Sequence, residues 1–189
     1  MFKHKIDHEL ELKLLGPGDA EALFGLMDAN RAYLRKWMAW IDGVKSPHDC
    51  RYFIESARRI WAKGDGLTAG IFLHGELCGT INHHALSLLN RHTSIGYWLA
   101  EPYQGRGIMT RACRAMVSYA FEELGLYRVE IRAGVHNLKS RAVAERLGFT
   151  FEGIIRGGQR LYDCYIDLVV YGMLADEWGA PPEPGQSSS

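Results

Sequence analysis

Residues 95–110, IGYWLAEPYQGRGIMT, constrain the fold more than any other stretch of the chain. A strand-like run from Ile95 to Leu99 meets Gly105 and Gly107, and an apolar helical period starts at Ile108 and continues through Ala112, Ala115, Met116, Tyr119, Ala120 and Leu124. A strand must therefore turn sharply into a helix. The first N–H groups of such a helix have no internal partner, and the helix dipole favours an anion beside them. Glycines let the backbone approach that anion with no Cβ in the way. A phosphate-bearing ligand is the expectation, and a plain glycine turn that only caps the helix is the structural alternative.

The flanking segments give this turn its setting. Leu10, Leu12 and Leu14 alternate with Glu11 and Lys13 as in a strand, and Gly16-Pro17-Gly18-Asp19 ends it and opens a helix with apolar Ala22, Leu23, Leu26 and Met27. Asn30 to Trp40 is a second amphipathic stretch. Ser46 as N-cap and Pro47 at the first helical position start a third, with Phe53, Ile54, Ala57, Ile60 and Trp61 as its buried stripe. Leu67–Leu73 and Leu77–Ala85 form a hairpin around His74-Gly75-Glu76, and His92–Leu99 follows as a third strand. Gly96, in mid-strand, marks a bulge or a close backbone approach. Arg128–Ala133 is a strand, Ser140–Leu147 a short helix, and two strands at about 150–160 and 164–173 close the chain. This order is α+β. The strand–helix–strand unit around Gly107 implies one parallel pair in a mixed, mostly antiparallel sheet flanked by helices. At 189 residues the chain is expected to be one domain, 1–178, followed by a disordered Pro/Gly/Ser-rich tail, 179–189.

Composition removes several function classes. Lys plus Arg and Asp plus Glu both number 22, so the balance lacks the basic excess of a general nucleic-acid binder, and no direct nucleic-acid partner is expected. No apolar window is long enough to span a membrane, and the N-terminus MFKHKIDHELELKLL has no secretory h-region. Cys50, Cys78, Cys113 and Cys164 lie 28, 35 and 51 residues apart, so no C-x-x-C metal or redox pair exists. No metal is expected, and His83 and His84, adjacent in a strand, point to opposite faces and cannot share one. Free thiols without an export signal point to the cytoplasm.

Three kinds of glycine loop compete for residues 104–110. A Walker loop needs Gly-Lys-Ser/Thr, and no lysine is present. A Rossmann turn needs a third glycine where Thr110 stands, after a parallel rather than a meandering strand. The acetyl-coenzyme A loop, Q/R-x-x-G-x-G/A, is matched by Gln104-Gly105-Arg106-Gly107-Ile108, with Met109 where Gly or Ala is usual. A second cluster, Asn137-Leu138-Lys139-Ser140 through Glu145, Gly148-Phe149 and Glu152-Gly153, follows the next strand. Asn137 or Ser140 can cap its helix and Gly148 can end it. Together the two clusters resemble the GNAT superfamily of acetyl-coenzyme A-dependent N-acetyltransferases, and within it the RimJ/RimL-type, ribosomal-protein branch. Asn30-Arg31, Leu34, Trp37, Asp167 and Tyr171 fit the same branch, and the resemblance covers roughly residues 8–178.

The resemblance implies a sheet whose two neighbouring parallel strands, His92–Leu99 and Arg128–Ala133, splay apart to admit the pantetheine arm. Tyr97, Trp98 and Leu99 would bond that arm through their backbone. Gln104, Gly105, Arg106, Gly107, Ile108, Met109 and Thr110 would wrap the pyrophosphate, with Arg106 and Arg111 adding charge. Asn137 lies where the family contacts the cofactor, and Ser140 occupies the position of the acid that protonates the leaving thiolate, so both are catalytic candidates. The implied reaction moves acetyl from acetyl-CoA to an amine by direct attack. The implied acceptor is a protein N-terminal α-amino group; a small amine, or acyl-CoA binding without catalysis, are the alternatives. A base is harder to place: Gln159 stands where the branch has a glutamate, leaving Glu101, His83, His84, a water chain or an already neutral amine. A homodimer, through the aromatic-rich early helices, is expected by the same resemblance.

Overall fold

The computed structural model describes residues 2–179, so Ala180–Ser189 of the expected tail lies outside the described residues. Eight strands form one sheet: β1 (Lys3–Lys5), β2 (Leu10–Leu14), β3 (Leu67–Leu73), β4 (Glu76–Ser87), β5 (His92–Leu99), β6 (Arg128–Gly134), β7 (Thr150–Leu161) and β8 (Cys164–Leu174). Their spatial order is β1-β2-β3-β4-β5-β6-β8-β7. Every pairing is antiparallel except β5 with β6. The final hairpin therefore inserts its second strand beside β6 and leaves β7 at the edge.

Five α-helices flank the sheet: α1 (Ala20–Ala29), α2 (Arg31–Leu34), α3 (Pro47–Lys63), α4 (Ile108–Ser118) and α5 (Leu138–Arg146). On one face, α4 and α5 cover a core that includes Ile81, Ile95, Met116, Val129 and Ile131. On the other face, α1–α3 enclose a smaller core with Leu23, Leu34, Ile54, Phe72 and Trp98. Ser46 caps α3, accepting from the Asp49 N–H, while the Asp49 carboxylate accepts from the Ser46 N–H, and Gly64 ends the helix at φ +75°. The β3–β4 turn places His74 and Gly75 at φ +50° and +84°, the left-handed pair of a type I′ hairpin.

Three local expectations change. The N-terminal Lys3–Lys5 forms an extra edge strand, which its charge conceals from a hydrophobic pattern. Asn30–Trp40 is not one amphipathic helix but a single turn, α2, followed by a 3-10 turn at Ala39–Gly43. Arg31 explains the break: its guanidinium donates to the carbonyls of Ile41 and Val44, at 2.6 and 2.8 Å, and folds the following segment back. Finally, Phe53 and Ile60 are exposed at 41% and 45%, so the buried stripe of α3 is Cys50, Ile54 and Ala57.

Candidate active site

The site begins where the parallel pair stops. Residues His92–Ile95 pair in register with Arg128–Ile131, and the two strands then part. Beyond that point Gly96–Leu99 stay bonded to Asn82–Gly79 of β4, and Arg132–Gly134 to Val170–Leu168 of β8. The facing edges of β5 and β6 are left without strand partners, which gives a linear polar ligand a row of backbone donors and acceptors. A cavity of about 1830 Å³ runs through this gap. Its walls include Tyr97 and Ala133 from the α4/α5 face, and Gly96, Trp98 and Arg132 from the other, so it passes between the strands from one side of the sheet to the other.

On the α4/α5 side the mouth is the glycine loop. Gly105 and Gly107 sit at φ +73° and +70°, and no side chain caps the first turn of α4. Gly105 to Thr110 all line the cavity there. Ile108 and Met109 bury their side chains in the core, at 1% and 8% exposure, so they offer the loop only backbone. That explains how Met stands where a small residue is usual. Arg111 lines the cavity as well, with its guanidinium held by Asp7 and Glu9 at 2.6 and 2.8 Å, so it also anchors the N-terminal segment. Arg106 is exposed there, and Arg114, Lys139 and Arg146 also line the cavity. Sequence reasoning missed these last three, because ordinary helix-surface cations carry no motif. Lys139 further ties α5 to the loop, donating to the Gln104 Oε1 at 2.8 Å.

Asn137 caps α5, its Oδ1 accepting from the Ser140 N–H at 3.2 Å, so the helix begins at Leu138 and Ser140 is freed from capping. The Ser140 hydroxyl donates to the Tyr97 hydroxyl at 3.2 Å, and Tyr97 donates to the Ser140 carbonyl at 3.0 Å. Burial pushes the Tyr97 hydroxyl well above its ordinary range, so it stays protonated and bridges β5 to α5. A hydroxyl pair therefore stands at the gap on the α5 side.

The other half of the cavity lies between the sheet and α1–α3. Tyr33, Trp37, Met38, Trp40 and Phe53 form its helical wall, while Gln159, Arg160 and Ile166 close it from β7 and β8. Trp61 lies elsewhere, edge-on to Phe2. Asn30 locks this wall to the end of β5, its Oδ1 accepting from the Glu101 N–H at 2.9 Å. Asp167 accepts from the Gly157 N–H at 2.7 Å, within an irregularity of β7 between Ile155 and Gln159. Gln159, next along the strand, donates to the Trp37 carbonyl at 2.9 Å.

The three side-chain base candidates separate cleanly. His83 is buried away from the cavity, its Nε2 bonded to the Met116 carbonyl at 3.0 Å and its Nδ1 without a partner. The carbonyl can only accept, so Nε2 carries the proton. Burial lowers the ring to about 4 and keeps it neutral. His84 faces the cavity on the opposite side of the strand, as adjacent strand positions require. Glu101 sits at the wide end of the gap, and Gln159 has no titratable group. Among the described residues no cluster of three metal-ligating side chains exists.

An open, splayed parallel pair, a glycine-loop helix start and a through-sheet cavity define a coenzyme A-dependent acyltransferase. The sequence profile of the acetyltransferase (GNAT) domain family matches residues 9–150, and the chain belongs to that family. Its class is that of the acetyl-CoA-dependent N-acetyltransferases. It is 44% identical over 179 residues to the Bacillus subtilis protein YdaF, provisionally named a ribosomal N-acetyltransferase, covering 94% of this chain and 98% of that one. It is 31% identical over 172 residues to the ribosomal-protein-serine acetyltransferase of Escherichia coli K12, covering 91% and 96%. The solved structure of RimL, a ribosomal L7/L12 α-N-protein acetyltransferase in complex with coenzyme A, superposes with a TM-score of 0.89 at 28% identity, covering 93% of this chain and 99% of that one.

Proposed function

We propose that this enzyme acetylates the α-amino group of a protein N-terminus. The observation that carries the reading is the cavity through the sheet, with a phosphate-type mouth on one face and an aromatic chamber on the other. Its volume of about 1830 Å³ exceeds the ~300–1,000 Å³ of a single small-ligand pocket, so it has room for a cofactor arm and a chain end together. The similarity to ribosomal-protein acetyltransferases supports the same acceptor.

Acetyl-CoA supplies an activated thioester. In this reading the amides of Gly105–Thr110 and Arg106 hold its phosphates, and the free edge of Tyr97–Leu99 aligns its pantetheine. Asn137 orients the turn that presents Ser140, and Ser140, backed by Tyr97, donates the proton that the leaving thiolate requires. Holding both reactants in one slot provides much of the acceleration. We place the enzyme in a reducing cytoplasm: its four cysteines are unpaired, and three are buried. A second copy has two exposed apolar patches to dock on: Trp40, Tyr52 and Phe53 of the early helices, at 50%, 66% and 41% exposure, and the edge strand β7, where Phe151 and Ile154 are 55% and 52% exposed.

Two assays test the reading. Thermal shift with acetyl-CoA, CoA, NAD and ATP should rise for the two CoA species alone, by about 2.7 kcal/mol at 100 times the dissociation constant. Thiol release with peptides bearing N-terminal serine should then exceed release with spermidine; the reverse order would make the enzyme a small-amine acetyltransferase. Sedimentation showing monomer alone would remove the second copy.

A further inference from the structure

The structure assigns His84 as the general base that takes the proton from the attacking amine, replacing the carboxylate that Gln159 does not supply. The inference rests on the acetyl-transfer reading and adds a residue to it.

The argument is one of position. A linear ligand entering the wide end of the gap has its tip nearest the apex, and the apex is Gly96 and Arg132, the first residues past the last parallel pair, Ile95 with Ile131. His84 lies on the apex. A Cβ on Gly96 would stand 3.0 Å from the His84 Cε1 and 3.2 Å from its Nδ1, so only glycine lets the ring lie against the strand there. Asn82, opposite Gly96 in the β4–β5 register, places its Nδ2 3.4 Å from the His84 Nδ1 and steadies the ring. Ser140 and Tyr97 flank the same gap from the opposite face of the sheet.

The two faces therefore divide the proton traffic. Coenzyme A enters and leaves on the α5 side, where Ser140 stands; the amine arrives from the aromatic chamber, where His84 stands. As the C–N bond forms and the C–S bond breaks, the amine proton passes to the imidazole, directly or through one water, and the thiolate receives its proton from Ser140. The other candidates fail on place or chemistry. Glu101 is five residues farther along the strand, roughly 16 Å away in extended chain. His83 is spent on the Met116 carbonyl.

The lone pair that would take the proton is the one on Nδ1, held only by the long 3.4 Å contact from the Asn82 Nδ2, which the incoming proton displaces. The pKa of His84 is lowered, first by withdrawal from water and then by the Arg132 guanidinium, with Glu130 pulling the other way. Glu130 and Arg132 are themselves joined on β6, and Arg128 and Glu152 extend the chain of ion pairs. On β5, Ser94 stands opposite His84 in register and is uncharged. Across the chamber, Arg160 and Asp49 are the charged residues of the far wall, and Asp49 is committed to the cap of α3. The lowered pKa favours the ring form that can accept a proton.

The test compares wild type with His84→Gln and Arg132→Met in CoA release from acetyl-CoA. The acceptors are an N-terminal-serine peptide and spermidine, each from pH 5 to 9. In wild type kcat/KM should fall on the acid side with two protons, one from the amine near ~8 and one from the base. His84→Gln should lower kcat about 100-fold, leave acetyl-CoA affinity within about twofold, reduce the acid slope to one proton and recover partly with added imidazole. Arg132→Met, by removing the nearer cation, should move the lower break to higher pH. His84→Gln within about threefold of wild type, with both protons retained, overturns the assignment, as does an unmoved break in Arg132→Met should His84→Gln not fold. A wild-type enzyme that binds acetyl-CoA and turns over neither amine overturns the acetyl-transfer reading itself, and the base with it.

Discussion

The two ends of the cavity are built from different materials. At the glycine-loop mouth, Gly105 and Gly107 at positive φ and the uncapped start of α4 present peptide groups, and the side chains of Ile108 and Met109 are turned into the core. At the aromatic end the walls are side chains: Trp37 and Trp40 after α2, Phe53 on α3, His84 on β4, Gln159 and Arg160 on β7. Backbone recognition depends on a short, contiguous geometry. Side-chain recognition depends on how distant segments are pinned together, here by Asn30 to Glu101, Arg31 to Ile41 and Val44, and Gln159 to Trp37. The first end suits a ligand that never changes, and the second can be remodelled without disturbing the first.

The sharpest way to break this contrast is at Gly107. Gly107→Glu should weaken acetyl-CoA binding at least about 100-fold by calorimetry, because a carboxylate would face the phosphates. Gly107→Ala should lose much less: no atom lies within 4 Å of the new Cβ, leaving only the strain of φ +70°, about 1–2 kcal/mol. Equal affinity for the Glu variant would place the phosphates elsewhere. Ser140→Ala should reduce kcat about 10- to 100-fold while acetyl-CoA affinity and Tm hold, since Asn137 and not Ser140 caps the helix. A matching fall in Tm would make the hydroxyl structural.

His83 and His84 repeat the contrast within one dipeptide, one ring holding the core and one open to the chamber. The folded-state pKa of His83, about 4, lies below the ~6.5 of an unfolded histidine, so the unfolded chain takes the proton first. Its stability contribution is complete above pH 6.5 and is lost as pH falls toward 4. Urea unfolding at pH 5 should show a loss of about 2 kcal/mol relative to pH 7.5. His83→Leu should remove that part of the slope. The smallest effect is at the acceptor wall: Gln159→Ala should raise acceptor KM about fivefold through the lost bond to Trp37, worth about 1 kcal/mol, with acetyl-CoA affinity unchanged. An altered acetyl-CoA affinity there would show that the two ends are coupled.

Legibility in the sequence followed the same division. The strand, glycine turn and helix period around 95–110 were readable because each is local and periodic, and the parallel pair followed from their order. Gly96 was visible as an exception inside a strand, but its cause, the side chains of Asn82 and His84, required the β4–β5 register. The ion pairs of Arg111 were not legible because its partners, Asp7 and Glu9, lie about a hundred residues away. Asn30–Trp40 read as a helix because Leu34, Trp37, Met38 and Ile41 keep a helical spacing, whereas the carbonyls that Arg31 draws in dictate the break. The placement of β8 inside β7 left no mark on local pattern, since either strand of a hairpin can face β6.

The four-residue parallel ladder has a mechanical consequence. It is the only hydrogen-bonded seam, among the described residues, between a five-strand half-sheet built from β1–β5 and a three-strand half-sheet built from β6, β8 and β7. A pantetheine arm bonded to the free edge of β5 would act as the missing rungs above that short seam. Coenzyme binding would then slow amide exchange along Gly96–Leu99 and Arg132–Gly134 more than in the outer strands. The metabolite would serve as a fastener as well as a reactant.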